Sequence, residues 1–131
     1  MLTWLCRHLA RLRWAYALTA SGILFVLSSA PIRQPVGWPA LDKVEHVTAY
    51  TLLGLAYYNV GSAGGRRAGW TVAIATWLAV VAYGISDEFH QAFVPGRSAE
   101  VADVLADAVG GMLGVAAALG MRRGFVRRLE E

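Results

Sequence analysis

Four apolar segments of roughly 18 to 22 residues alternate with short polar stretches along the chain. They cover about residues 14–31, 44–61, 68–89 and 101–120. An α-helix rises ~1.5 Å per residue, so about 20 apolar residues suffice to cross the ~30 Å hydrocarbon core of a bilayer. The pattern therefore predicts an all-α fold, in which a bundle of four transmembrane helices forms a single domain over residues 1–131.

Prolines and glycines interrupt the pattern between the segments. Residues 31–43 contain three of the four prolines, and residues 62–67 form the glycine-rich run SAGGRR; such residues break helices and favour turns. The sequence VPGR predicts a type II turn, because Pro95 presets φ at the second position and Gly96 supplies positive φ at the third. This turn is expected to place Arg97 beside the acids that end the third segment.

Composition supports the membrane class. Apolar residues make up 56% of the chain and charged residues 16%, against about a quarter of charged residues in soluble domains. The HExxH zinc helix, the nucleophile elbow, the P-loop and the dinucleotide-binding fingerprint do not occur in the sequence. Cys6 is the single cysteine, which excludes an intramolecular disulfide.

The first apolar segment has a second interpretation. A basic start, an apolar core and small residues at 28–30 are typical of a secretory signal peptide. The apolar run from Trp14 is longer than the usual core of such a signal, and three more segments follow it. We therefore expect the mature chain to keep Met1 or Leu2 at its start and not to begin at Pro31.

Basic residues concentrate on one side of the predicted bundle. Nine of the twelve lysines and arginines lie before the first segment, between the second and third, or after the fourth. These positions share one side of a membrane, and cytoplasmic loops carry an excess of such residues. Both termini are therefore predicted to be cytoplasmic. The net charge of +3 then reflects topology, and we expect no nucleic-acid partner.

Acidic residues concentrate on the opposite, outer side. Lipid offers no partner for a carboxylate or an imidazole, so such groups are expected to face other helices or a wet cavity. The polar cluster is therefore predicted to form an outward-facing site. It contains seven of the nine acids: Asp42, Glu45, Asp87, Glu88, Glu100, Asp103 and Asp107.

Helical spacing assigns these polar residues to faces. Asp42, His46 and Tyr50 recur every four residues and are expected to share one face of the second helix. Asp87 and Gln91 are likewise expected to share a face of the third helix. These two faces are predicted to look inward, because lipid cannot satisfy them.

Two further positions follow from the same geometry. Glu88 points about 100° away from the second of these faces, so it serves a different spot. In the fourth segment, Asp103, Asp107, Gly110 and Gly114 form one stripe, and its glycines make a GxxxG surface that permits close helix approach. We therefore predict that this stripe packs against another helix.

The residue types suit two kinds of chemistry. Neighbouring carboxylates can supply general acid/base catalysis, and carboxylate oxygens can coordinate a hard divalent cation. The spacing does not choose between them, so the cofactor stays unknown and a divalent cation is one candidate. A third interpretation is structural: the acids pair with Lys43 and Arg97 and fix the register of the helices.

Three polar stretches, DKVEHVTAY (42–50), SDEFHQAFVPGRS (86–98) and DVLADAVGG (103–111), resemble the VanZ-like membrane family. That family shows Asp, Lys and His before its second span, DE followed by Gln after the third, a turn with Pro and Arg, and an Asp opening the fourth. Its founding member is associated with resistance to the glycopeptide teicoplanin, so the resemblance implies a cell-envelope role. The matching positions are Asp42, Lys43, His46, Tyr50, Asp87, Glu88, Gln91, Pro95, Arg97 and Asp103.

The resemblance and the residue chemistry together give these positions expected roles. The catalytic residues are predicted to be Asp87, Glu88 and His46, with either acid as the base and His46 as an acid or orienting group. The family often has Asn where Asp107 stands, so the resemblance supports no charge-dependent role for Asp107. The predicted substrate-binding residues are Lys43, Arg97, Gln91, Tyr50, Asp42 and Asp103.

The expected ligand is an anionic lipid or a lipid-linked wall precursor. Lys43 and Arg97 are expected to clamp its phosphate, and Asp103 is a candidate metal ligand. The alternative is a non-catalytic structural or shielding membrane module whose charged cluster only holds the helices together.

Overall fold

The computed structural model describes residues 2–31, 39–62 and 69–130, and these residues form four α-helices without a strand. The prediction of an all-α fold with four helices is confirmed. The connections at 32–38 and 63–68, which the sequence predicts as turns, lie outside the described residues. The helices are α1 (Leu2–Ser28), α2 (Pro39–Gly61), α3 (Trp70–Gln91) and α4 (Val101–Glu130).

Consecutive helices run in opposite directions, so their termini meet at two ends of the bundle. At one end, Ser29 Oγ lies 3.0 Å from His90 Nε2, and Lys43 bonds Asp103. We call this the acidic end: residues 24–31, 41–50, 84–100 and 101–110. At the other end, Arg122 Nη1 donates to the carbonyl oxygen of Ser62 at 2.9 Å. We call this the arginine end: residues 12–17, 57–62, 69–76 and 115–128.

Glycines allow α2 and α4 to approach each other closely. A Cβ atom at Gly54 would lie 2.6 Å from the carbonyl oxygen of Gly111, and one at Gly110 or Gly114 would collide with the backbone of α2 at Val47 or Thr51. No side chain fits between backbones this close. The sequence prediction that the glycine stripe of α4 is a packing surface is confirmed.

Two apolar clusters hold the helices together around this contact. Trp77 Nε1 donates to the carbonyl oxygen of Ala108 at 2.9 Å, which ties α3 to α4, and Tyr83 donates to the carbonyl oxygen of Ser21 at 2.6 Å, which ties α3 to α1. The cluster nearer the acidic end consists of Tyr50, Leu53 and Val80. The cluster nearer the arginine end consists of Tyr58, Ala73, Val115, Ala118 and Leu119.

Two of the helices are long and apolar enough to cross a membrane among the described residues: α3, and α4 over Val101–Gly124. Leu12–Ser28 of α1 is a shorter apolar stretch. Large apolar side chains also point outward from all four helices, where water would not favour them. They include Leu18, Phe25 and Val26 of α1, Ile74, Leu78 and Phe89 of α3, and Leu105, Met112 and Leu113 of α4.

Candidate functional site

The polar stripe of α2 faces the interior of the bundle at its acidic end, as its four-residue spacing predicts. Asp42, His46 and Tyr50 line the same cavity. Tyr50 is buried, and its hydroxyl lies 3.5 Å from Oδ2 of Asp87 on α3. The stripe therefore meets the acids of α3 rather than lipid.

The two neighbouring acids of α3 serve different places. Gln91 Nε2 donates to Oδ2 of Asp87 at 3.1 Å, so these two side chains share a face. Glu88 turns toward α4, where its Oε2 accepts the backbone N–H of Glu100 at 2.9 Å. The predicted separation of Asp87 and Glu88 is confirmed, and both side chains are buried.

The turn after α3 has the predicted geometry. Gly96 has φ 83°, and the N–H of Arg97 donates to the carbonyl oxygen of Val94 at 3.1 Å, as a type II turn requires. The turn directs Arg97 to the end of α1, where Nε donates to Ala30 and Nη2 to Leu27, each carbonyl at 3.1 Å. The carbonyl oxygen of Leu27 also accepts the N–H of Ala30 at 3.2 Å, so Arg97 adds a second donor there.

Arg97 also reaches the cavity. Its Nη1 donates to Oε1 of Gln91 at 3.2 Å, and Gln91 in turn bonds Asp87. Among the described residues, Arg97 forms no ion pair with a carboxylate. The expected contact of Arg97 with the acids is therefore indirect, through the Gln91 amide.

Lys43 is the cation that forms ion pairs with the acids at this end. Its ammonium bonds Asp42 Oδ2 and Glu100 Oε2, each at 3.0 Å, and also Asp103 Oδ1. Asp103 is buried, whereas Asp42 and Glu100 are exposed enough to contact solvent. The hydrogen bond and charge of Lys43 lower the pKa of the Glu100 carboxyl below its ordinary value.

His46 pairs with Asp107, which the sequence places in the acidic cluster without a catalytic or binding role. Its Nδ1 donates to Oδ1 of Asp107 at 2.8 Å, and Asp107 is fully buried. The signal was available, because Asp107 follows Asp103 by one helical turn on the stripe that carries Gly110. The resemblance gave Asp107 no role, because the family often has Asn at this position.

Together these contacts divide the predicted site residues into two groups around His46. Six of them line a cavity of ≈ 120 Å³ whose remaining wall includes apolar side chains of α1 and α2. Lys43 and Glu88 instead bond groups on the side of α4, namely Asp103 and the backbone N–H of Glu100. The cavity residues are Asp42, His46, Tyr50, Asp87, Gln91 and Arg97.

Two sets of side chains among the described residues bring three metal-ligating groups together. One set is Asp42, His46 and Asp103, and the other is His46, Glu88 and Asp107; within each, the ligand atoms lie within 4.8 Å of one another. An imidazole with carboxylates can coordinate a divalent cation or transfer protons. The arrangement is therefore compatible with both kinds of chemistry that the sequence suggested.

The chain matches a known family over most of its length. A model of the VanZ/LLP1 family matches residues 9–122, which cover α2 and α3 completely, most of α1 and α4, and every predicted site residue. No curated protein and no solved structure gives a significant match. On the extent of the family match, the chain belongs to the VanZ/LLP1 family.

Proposed function

We propose that the chain is a multi-pass protein of the cell membrane whose four helices all span the bilayer. Two membrane-capable helices, the outward-facing apolar side chains of α1, α3 and α4, and membership of a membrane-associated family support this topology. The excess of basic residues before the first apolar segment, between the second and third, and after the fourth supports cytoplasmic termini and an acidic end on the outer face.

Cysteine labelling from either side of the membrane tests the topology. In a Cys6→Ser background, Ser98→Cys is expected to react with an impermeant reagent from outside, and Arg127→Cys only after the membrane is opened. Both positions are exposed, so access and not burial decides the labelling. Labelling of Ser98→Cys from the cytoplasmic side alone would refute the proposed orientation.

Within this topology, the cavity at the acidic end binds the headgroup of an envelope amphiphile. The observation that carries the proposal is the mixed lining: Asp87, Gln91 and Arg97 offer polar groups, while Leu24 and Leu27 of α1 offer an apolar edge. A volume of ≈ 120 Å³ equals that of about four water molecules. The cavity therefore takes one polar group of a headgroup while the rest stays outside.

The charges in the lining favour a lipid-linked wall precursor over a simple anionic lipid. Carboxylates of Asp42, Glu45 and Asp87 outnumber the guanidinium of Arg97, and Lys43 is held by Asp42 and by two carboxylates outside the lining, Glu100 and Asp103. Carboxylates accept hydrogen bonds from hydroxyl and amine groups, which sugars carry, and they repel phosphate. The cell-envelope role of this proposal includes glycopeptide resistance of the teicoplanin type.

Native mass spectrometry of the detergent-purified chain tests the ligand. We expect a lipid-linked saccharide to bind and Asp87→Asn to weaken binding by about tenfold, the loss of one charge-assisted hydrogen bond. Glu100→Gln is the matched control, because Glu100 is an acid at the same end that does not line the cavity. Equal binding by Asp87→Asn and the unaltered chain would contradict the proposal.

Catalysis at this site is a second proposal, in which Glu88 or Asp87 acts as the base and His46 as the acid or orienting group. The hydrogen bond that holds His46 to buried Asp107 supports it, since an oriented imidazole is what proton transfer needs. Glu88→Gln would then abolish the envelope phenotype while ligand binding persists, because Glu88 does not line the cavity. If ligand binding is lost together with the phenotype, the result favours a binding module without catalysis.

The structural alternative also has support. Lys43 is bonded to acids of its own chain, and Arg97 uses its donors on α1 and Gln91. If the cluster only holds the helices together, variants that keep the fold should keep the phenotype. Asp87→Asn with an unchanged melting temperature and a lost phenotype would exclude this alternative.

A further inference from the structure

Two carboxylate oxygens at the acidic end are buried without a hydrogen-bond partner among the described residues: Oε1 of Glu88 and Oδ2 of Asp107. Glu88 is 4% exposed and Asp107 is 0% exposed. The other oxygen of each carboxylate is bonded, to the N–H of Glu100 and to His46 respectively. Unpaired buried carboxylate oxygens are costly, so their occurrence as a neighbouring pair calls for a partner.

The two acids meet at the same imidazole. Ligand atoms of His46, Glu88 and Asp107 come from three helices and lie within 4.8 Å of one another. Nδ1 of His46 lies 2.8 Å from Oδ1 of Asp107, so this ring nitrogen faces the second acid of the set. A divalent cation would replace the proton between them, because metal binding deprotonates an imidazole nitrogen and releases its proton.

The neighbouring set of ligand groups already has its cation. The ammonium of Lys43 bonds both Asp42 and Asp103, which belong to the set around the other side of His46. Among the described residues, no lysine or arginine bonds Glu88 or Asp107. Lys43 supplies a permanent charge to the first set, whereas in the second set the basic group is His46 itself, which pairs with Asp107.

We infer that His46, Glu88 and Asp107 form a binding site for a divalent transition-metal cation, with Zn²⁺ as the best-matched ion. One imidazole with two carboxylates suits Zn²⁺, whereas Mg²⁺ and Ca²⁺ prefer sites made of oxygen alone. The inference does not rest on the proposed lipid ligand, because Glu88 and Asp107 do not line the cavity.

Metal content and thermal unfolding of the full chain in detergent test the site. The chain is purified without a histidine tag, treated with a chelator and dialysed against Zn²⁺. We expect about one Zn²⁺ per chain and a higher melting temperature with Zn²⁺ than with chelator. A folded chain that retains no Zn²⁺ would overturn the inference, and so would retention of Mg²⁺ in preference to Zn²⁺.

Four variants locate the ion. Glu88→Gln and Asp107→Asn are each expected to weaken Zn²⁺ binding at least tenfold, as the loss of a ligand or of its orienting partner does. His90→Gln and Glu100→Gln are controls that should bind as the unaltered chain does, since neither belongs to the set. If Asp107→Asn does not fold, Glu88→Gln alone tests the site. Glu88 lies nearer the end of the bundle, so its substitution is expected to disturb the fold less.

Two outcomes separate this site from its rivals. If Asp42→Asn abolishes binding while Glu88→Gln does not, the ion belongs to the set that holds Lys43 and the inference is wrong. Asp87→Asn should lose the lipid-linked saccharide and keep Zn²⁺, so failure of the lipid proposal and failure of the metal site produce different results. Unchanged Zn²⁺ binding in Glu88→Gln would indicate that the two acids share a proton instead.

Discussion

The acidic end and the arginine end hold the same four helices together by different means. At the acidic end, Lys43 and His46 of α2 bind acids of α4, and Arg97 binds the carbonyl oxygens that end α1. At the arginine end, an apolar cluster around Tyr58 and Leu119 fills the space between α2, α3 and α4. Apolar packing needs no partner of defined direction, whereas each bond at the acidic end does.

This difference between the two ends indicates which of them carries the functional site. Buried ion pairs contribute little net stability relative to apolar packing, because removing charges from water is costly. Among the described residues of the arginine end, an apolar cluster joins α2, α3 and α4. The polar side chains of the acidic end are therefore better explained by a ligand or a reaction than by cohesion.

Gly114→Ala is expected to have the largest effect, because it acts on the α2–α4 contact that both ends share. An added methyl group would collide with the carbonyl oxygen of Thr51 and lie 2.9 Å from the amide nitrogen of Leu55. Since two backbones must separate, we expect a loss of about 3 kcal/mol, measured by thermal unfolding in detergent. Gly120→Ala is the control, as its methyl group meets nothing within 4 Å. Equal melting of the two variants would disprove the close contact.

Lys43→Ala should have the next largest effect and should distinguish the two ends. It leaves Asp103, whose side chain is 6% exposed, without its cation. Loss of a fully buried pair costs about 3 to 5 kcal/mol; because the Lys43 side chain is 30% exposed, we expect about 2 kcal/mol. The matched variant at the arginine end is Arg123→Ala, which removes a cation–π contact of 5.0 Å to Trp70 and should cost about 0.5 to 1 kcal/mol. A larger loss of stability in Arg123→Ala than in Lys43→Ala would refute the comparison of the two ends.

Arg97→Lys is expected to lower the free energy of unfolding by about 1 to 2 kcal/mol. An ammonium cannot reach the carbonyls of Ala30 and Leu27 and the amide of Gln91 together, as the guanidinium does. Thermal unfolding together with ligand binding to the folded fraction measures the effect. Unchanged melting with weakened lipid binding would show that Arg97 acts on the ligand, as the sequence analysis predicted.

Tyr58→Phe should have the smallest effect. The hydroxyl of Tyr58 is buried without a hydrogen-bond partner among the described residues, so its removal should change stability by less than about 0.5 kcal/mol, toward greater stability. The same thermal measurement checks it. Destabilisation by 1 kcal/mol or more would mean that the hydroxyl has a partner, and that the arginine end has a further directed polar bond beside the one from Arg122 to Ser62.

The sequence by itself determined the features that depend on near neighbours in the chain. Segment length and apolar composition predict the four helices, because a helix forms its hydrogen bonds within one segment. Spacing by four places Asp42, His46 and Tyr50 on one face. Pro95 and Gly96 determine the turn through their own backbone angles, and the glycines of α4 determine where another backbone can come close.

Only the tertiary structure decided which partner each polar group meets. Spacing along α3 separates Asp87 from Glu88, but the placement of α4 decides that Glu88 accepts the N–H of Glu100. The guanidinium of Arg97 reaches α1, 67 residues away in sequence, and His46 selects Asp107 across 61 residues. Such pairings depend on the rotation and axial shift of whole helices, which arise from the packing of many side chains and from no local pattern.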